Sequence, residues 1–145
     1  MKRFSFVIII LFLLPVFSVY AVEKTLIYKI NLKKEVGSTT WRYVKRGMAE
    51  ASKKKADAVI LHMNTYGGTV IHADSIRTLI LNSSIPVYAF IDNNAASAGA
   101  LIAIACDSIY MRPGANMGAA TVVNGNGEAM PDKYQSYMRA TIRST

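Results

Sequence analysis

Two short segments hold residues whose types and spacing suit acyl chemistry. In Ala95-Ala96-Ser97-Ala98-Gly99 a serine stands among residues too small to shield its hydroxyl. The small apolar residues that follow predict a helix from about Ala96 to Ala105, which places Ser97 at its N-terminal end. There the positive end of the helix dipole favours an alkoxide and a developing oxyanion. An N-cap serine would occupy the same place. The second segment is Gly67-Gly68, directly after an apolar run. Adjacent glycines reach backbone conformations closed to other residues and let N–H groups approach a ligand closely, and they also suit an ordinary turn.

A serine nucleophile needs a base. The histidines, His62 and His72, both precede Ser97 and neither has an evident carboxylate to orient it. His62 reads as a partly buried strand residue and His72 as a helix-surface residue. Lysine serves instead where burial disfavours the ammonium form. Lys133 is the candidate, because it opens the last helical stretch beside the apolar stripe of Tyr134, Tyr137, Met138 and Thr141, with Asp132, Gln135, Arg139 and Arg143 on the polar side. Pairing with Asp132 at the surface is the alternative. Cys106, the single cysteine, excludes a disulfide framework and a Cys-rich zinc site and reads as a small buried residue. With no evident ligand cluster, neither a metal nor another cofactor is expected.

The elements that must position these residues alternate in type. Thr25 to Leu32 predicts a strand broken by Gly37; Ser38 or Thr39 is a plausible N-cap, and Trp41, Val44, Met48 and Ala51 recur at helical spacing before Lys53-Lys54-Lys55. Ala58 to Met63 is an apolar run with the character of a buried parallel strand, ending in Asn64-Thr65-Tyr66-Gly67-Gly68. A helix over His72–Leu81, a turn at Ser83-Ser84-Ile85-Pro86, a strand over Val87–Ile91 and a turn at Asp92-Asn93-Asn94 follow. After the small-residue helix come a strand over Ser108–Met111, a loop from Pro113 to Gly127 and a helix over Pro131–Arg143. That alternation predicts an α/β domain with a mainly parallel sheet and right-handed βαβ crossovers. The Gly- and Asn-rich loop is either part of a cleft or a plain connector.

The chain has 145 residues, 52% of them hydrophobic, enough for one domain with a core. Residues 1–21 read as an export signal: Lys2-Arg3, the apolar run Phe6–Leu14, Pro15, and Val19-Tyr20-Ala21 as a cleavage pattern, with an uncleaved anchor as the competing reading. The formal charge of +8 is carried by scattered pairs without interleaved aromatics, which disfavours nucleic acid and suits a solvated face or an anionic membrane surface. The helical pattern is still running at Thr145, which reads as a fragment of a longer chain.

Together, the strand ending His62-Met63-Asn64-Thr65-Tyr66-Gly67-Gly68, the segment Asn94–Gly99 and the helix from Pro131-Asp132-Lys133 to Ile142-Arg143-Ser144, in this order behind an export signal, resemble the N-terminal protease domain of the NfeD family. Those proteins are membrane-bound serine proteases on a ClpP/crotonase-like fold, and the likeness covers nearly all of residues 22–145. It implies Ser97 as nucleophile, Lys133 as general base, and the N–H groups of Gly67, Gly68 and Ala98 as the oxyanion hole. A Ser-His-Asp triad of the ClpP kind needs a histidine after the serine, and none follows Ser97. Tyr66 departs from the family pattern, which has proline there. The resemblance further implies an apolar polypeptide substrate in a membrane-associated partner such as a stomatin-like protein, a dimer or higher assembly on the extracytoplasmic face of the membrane, and transmembrane and small β-barrel domains beyond this sequence. Two other readings use the same fold: a catalytically silent scaffold for a membrane partner, and an acyl-CoA enzyme of the crotonase type, which export disfavours because acyl-CoA is cytoplasmic.

Overall fold

Alternating apolar residues on successive strands build one buried sheet face in the computed structural model, which describes residues 24–145; the export segment at 1–21 lies outside the described residues. The elements are β1 (Ile27–Leu32), α1 (Ser38–Lys53), β2 (Ala58–Thr65), α2 (Val70–Leu81), β3 (Val87–Ala96), α3 (Ala98–Ala103), β4 (Ser108–Met111), β5 (Asn116–Gly118) and α4 (Asp132–Arg143). Strands lie in the order β1-β2-β3-β4, with β5 pairing β3, and every one of these pairings is parallel. The expected mainly parallel α/β sheet is therefore what forms.

Consecutive strands are neighbours, so crossovers of one hand place the helices on one face. Facing them, Ile30 pairs with Leu61 and Leu32 with Met63, while Leu61 and Met63 pair in turn with Ala89 and Ile91. All six are at most 1% exposed. Burying side chains such as Leu61 or Ile91 stabilises by about 1.5–3 kcal/mol each. Residues one step out of phase, Lys29, Asn31, Ile60, His62, Tyr88 and Phe90, share the opposite, open face.

Helix boundaries depart from expectation for local reasons. Gly37, not Ser38 or Thr39, is the N-cap of α1, with no side-chain cap, and Thr40 bonds Glu35 O instead. Gly47 lets α1 lie close on β1, because a Cβ there would sit 2.8 Å from Ile30 Cδ1. The small-residue helix is also shorter than Ala96–Ala105, running from Ala98 to Ala103.

The largest correction concerns Asp92-Asn93-Asn94, which is strand and not turn. Met63 pairs with Ile91 and Thr65 with Ala95, so β3 carries three residues opposite Asn64 alone. Such a bulge bends and re-aims a strand. Before it β3 pairs with β4, and after it Asn94, Ala95 and Ala96 pair with Asn116, Met117 and Gly118 of β5. The loop from Pro113 to Gly127 thus contributes a fifth strand and is more than a connector. Among the described residues, no helix is long and apolar enough to cross a membrane.

Candidate active site

Ser97 comes directly off the end of β3 with φ 52° and ψ −118°, and α3 starts at the next residue. A non-glycine residue held there stores about 1–3 kcal/mol of strain, the usual sign of a side chain aimed by a sharp strand-to-helix turn. The bend is pinned from outside, because Ser97 N–H donates to Gly118 O at 2.7 Å. The Ser97 hydroxyl makes no capping bond to the helix it precedes. The N-cap reading of Ser97 therefore describes its backbone position and not its side chain.

The Gly67-Gly68 turn lies against this serine. Gly67 has φ 110° and Gly68 φ 151°, both outside the range L side chains favour. A Cβ on Gly67 would lie 2.7 Å from Ser97 Cβ and 3.2 Å from Ala98 N. The segment before α1 holds the turn: Val36 N–H donates to Gly67 O at 2.8 Å, and Thr69 N–H to Val36 O at 2.9 Å. These two bonds tie the turn to the segment before α1, and Tyr66 is 80% exposed. Gly67 N–H donates to Thr65 Oγ1 at 3.2 Å, whereas among the described residues the N–H groups of Gly68 and Ala98 have no backbone acceptor.

Thr65 escaped the sequence reading. It is 2% exposed, its hydroxyl donates to Lys34 O at 2.9 Å, and its Cγ2 would lie 2.8 Å from a Cβ on Gly99. One threonine therefore ties the glycine turn to the first turn of α3, and no sequence periodicity marks such a contact. Gly68→Ala is expected to lower the melting temperature, since the new methyl would run into the Val36 backbone (2.7 Å from its N) while φ 151° adds strain of about 1–3 kcal/mol. Thermal denaturation checks it.

Lys133 stands in the first turn of α4, exposed, with Nζ 5.0 Å from the Tyr134 ring centroid. The apolar stripe beside it is only partly covered: Met138 is buried, whereas Tyr134 and Tyr137 are exposed. Ser97 and Lys133 line two different cavities that have three wall residues in common. One of about 50 Å³ is lined by Gly68, Ser97, Ala98 and Leu101 among others, and one of about 430 Å³ by Lys133, Tyr134 and Tyr137. Val70, Val122 and Met138 line both. Gln135, read from sequence as merely polar, fixes this arrangement: its amide N–H donates to Val122 O at 2.7 Å and to Met130 O at 3.0 Å, and its Oε1 accepts from Val122 N–H at 3.0 Å.

The histidines lie elsewhere. His72 Nδ1 is 2.6 Å from Thr69 Oγ1 at the start of α2. His62 is a partly buried strand residue as expected, but it does have a carboxylate neighbour, Asp92, whose Oδ2 is 3.4 Å from Nε2. Burial, together with the nearby Lys33 and Lys29 cations, lowers the His62 pKa despite Asp92. The unfolded chain, with an ordinary histidine pKa of about 6.5, takes up this proton first, so the contribution is present above that pH and lost as pH falls below it. Melting temperature is therefore expected to decline from pH 7 towards 5 and to do so less in His62→Gln; equal slopes would remove His62 from the account. Burial raises the Cys106 thiol to about 12, helped by Asp107, which leaves it unreactive, and the residue is partly rather than fully buried.

Comparison with known proteins places this geometry in context. Residues 26–145 match the family described as the NfeD1b N-terminal domain. Membrane protein NfeD1b of Bacillus subtilis (strain 168) is 42% identical over 120 residues, covering 83% of this chain and 28% of that protein. Membrane-bound protease PH1510 of Pyrococcus horikoshii is 32% identical over 129 residues, covering 83% of this chain and 29% of that protein. The chain thus spans under a third of these relatives. A lysine-to-alanine variant of the 1510-N membrane-bound stomatin-specific protease, solved with a substrate peptide, superposes with a TM-score of 0.79 at 30% identity over 85% of this chain and 60% of that one. The fold extends to ClpP1 from Listeria monocytogenes, with a TM-score of 0.63 at 17% identity over 79% of this chain and 71% of that one.

Proposed function

Since the chain belongs to the NfeD1b N-terminal domain family, we propose that it is the catalytic domain of a serine endopeptidase working through a Ser97/Lys133 dyad. One observation carries the reading: a strained serine at a strand-to-helix turn lies against a Gly-Gly turn, and the cavity it lines shares Val70, Val122 and Met138 with the cavity that Lys133 lines. Relatives are named as proteases, and the neighbouring peptidase has been solved as a serine-to-alanine and as a lysine-to-alanine variant, the latter with a substrate peptide.

In this mechanism the neutral Lys133 amine takes the proton of Ser97 Oγ as the oxygen attacks the scissile carbonyl. The N–H groups of Gly68 and Ala98 receive the carbonyl oxygen as it becomes negative, while Gly67, whose N–H is already bonded to Thr65, contributes the close approach of turn to serine. The protonated lysine passes its proton to the leaving amine, and water, activated by the same lysine, releases the acyl group. Lys133 is exposed, so bound substrate must be what excludes water from it. The apolar walls from Val70, Val122, Tyr134 and Met138 suit a hydrophobic peptide, drawn from a membrane-associated protein such as a stomatin homologue. Export to the extracytoplasmic face and assembly into dimers or larger complexes belong to the same proposal.

A fluorophosphonate serine label tests it. The proposal requires covalent modification at Ser97, located by mass spectrometry, and loss of the label on prior denaturation. An unlabelled, folded chain would instead favour a silent domain that holds a membrane partner.

A further inference from the structure

On the open face of the sheet, one carboxylate gathers a residue of β2 and the residues that directly follow β1 and β4. Asp92 Oδ2 lies 3.5 Å from Lys33 Nζ and 3.4 Å from His62 Nε2, and Asp92 Oδ1 lies 3.4 Å from Arg112 Nη1. Lys33 directly follows β1, His62 belongs to β2, and Arg112 directly follows β4. Asn31 completes the cluster, with Oδ1 3.2 Å from His62 Nδ1.

The place of Asp92 in β3 matters more than its charge count. The ladder with β4 ends at Ile91 paired with Met111, the ladder with β5 begins at Asn94, and the register with β2 slips over the same residues. Asp92 opens the stretch in which the backbone ladder lets go. An unpaired excursion weakens the backbone's hold on the phase in which the strand resumes, and side-chain contacts across the gap add to the Thr65–Ala95 pairing and the Ser97–Gly118 bond in fixing it. Just beyond, β3 delivers Ser97 with its strained backbone against Gly67 and Gly118.

We infer that Asp92 is a positioning residue for the nucleophile: its contacts with Lys33, His62 and Arg112 set where β3 resumes after the bulge and thereby where Ser97 stands. Its consequence for reactivity rests on Ser97 being the nucleophile, as proposed above. Magnitudes separate this role from a general structural one. Partly exposed ion pairs add little to stability, whereas a misplacement of about 1 Å in a reacting group costs roughly 100-fold in rate. Loss of Asp92 should therefore slow Ser97 far more than it loosens the fold.

The test compares the chain with Asp92→Ala, Asp92→Asn and Asp92→Glu by two measurements on folded protein. One is the rate constant, not the final extent, of fluorophosphonate labelling at Ser97. The other is hydrogen exchange of the Ser97 amide, set against the Val44 and Met48 amides of α1. Asp92→Ala and Asp92→Asn should label about 10- to 100-fold more slowly, with partial recovery in Asp92→Glu, and Ser97 exchange should quicken while α1 exchange holds. Labelling of Asp92→Asn at the parent rate, or exchange that quickens equally in α1, overturns the inference. Should the parent itself take no label, the dyad reading falls, and the exchange comparison alone decides for or against Asp92.

Discussion

Ser97→Ala is expected to fold as the parent does and to cleave no peptide beyond the residual catalysis of binding and an oxyanion hole, about 10³–10⁴ over water. The hydroxyl caps nothing, so its removal forfeits less than the roughly 1 kcal/mol of a working cap. The backbone bend is untouched, because it is held by the Ser97 N–H bond to Gly118 O and by packing against Gly67. Ser97→Gly sharpens the test. Glycine adopts φ 52° without the strain of about 1–3 kcal/mol that alanine keeps, and its extra chain entropy costs only about 0.4–1 kcal/mol. The glycine variant should thus melt above the alanine variant while being equally inactive. Peptide cleavage and thermal denaturation of both check the pair: full turnover by Ser97→Ala would end the mechanism, and a lower melting temperature for Ser97→Gly would mean that the turn is not strained.

Strands β1, β2 and β4 and helices α1, α2 and α4 were legible because each holds a run of apolar residues at one period, as in the six consecutive apolar or near-apolar positions of Ala58–Met63. What stayed hidden has no period to reveal it. Asp92-Asn93-Asn94 has turn composition, yet the parallel ladders before it, at Ile91, and after it, at Ala95, carry it within β3. Three-residue β5 sits in a Gly- and Asn-rich loop and exists because Asn94–Ala96 needs a partner once β4 has ended. At the site, Ser97 and Gly67-Gly68 were visible through residue type alone. Thr65, Gln135 and Asp92 were not, since each acts through a contact whose partners are distant in sequence or ordinary in kind, such as the Lys34 and Val122 backbones.

The harder case is Lys133, which the sequence put at the edge of an apolar stripe and which the fold leaves exposed, over the Tyr134 ring. Lys133→Ala is expected to be about as inactive as Ser97→Ala, and Lys133→Arg to recover nothing, because a guanidinium stays protonated at any working pH and cannot accept the serine proton. The two substitutions separate charge from basicity. An electrostatic role, such as holding a substrate carboxylate near the groove, would survive in arginine. The cation–π contact with Tyr134 would survive too, since guanidinium stacks on aromatic rings at least as well as ammonium. Only proton transfer distinguishes the residues. Lys133→Met, which keeps the apolar stem against Val70 and Tyr137 and removes the amine, controls for packing in the groove. Substantial turnover by Lys133→Arg would transfer the base to another group and leave Lys133 as part of the groove wall.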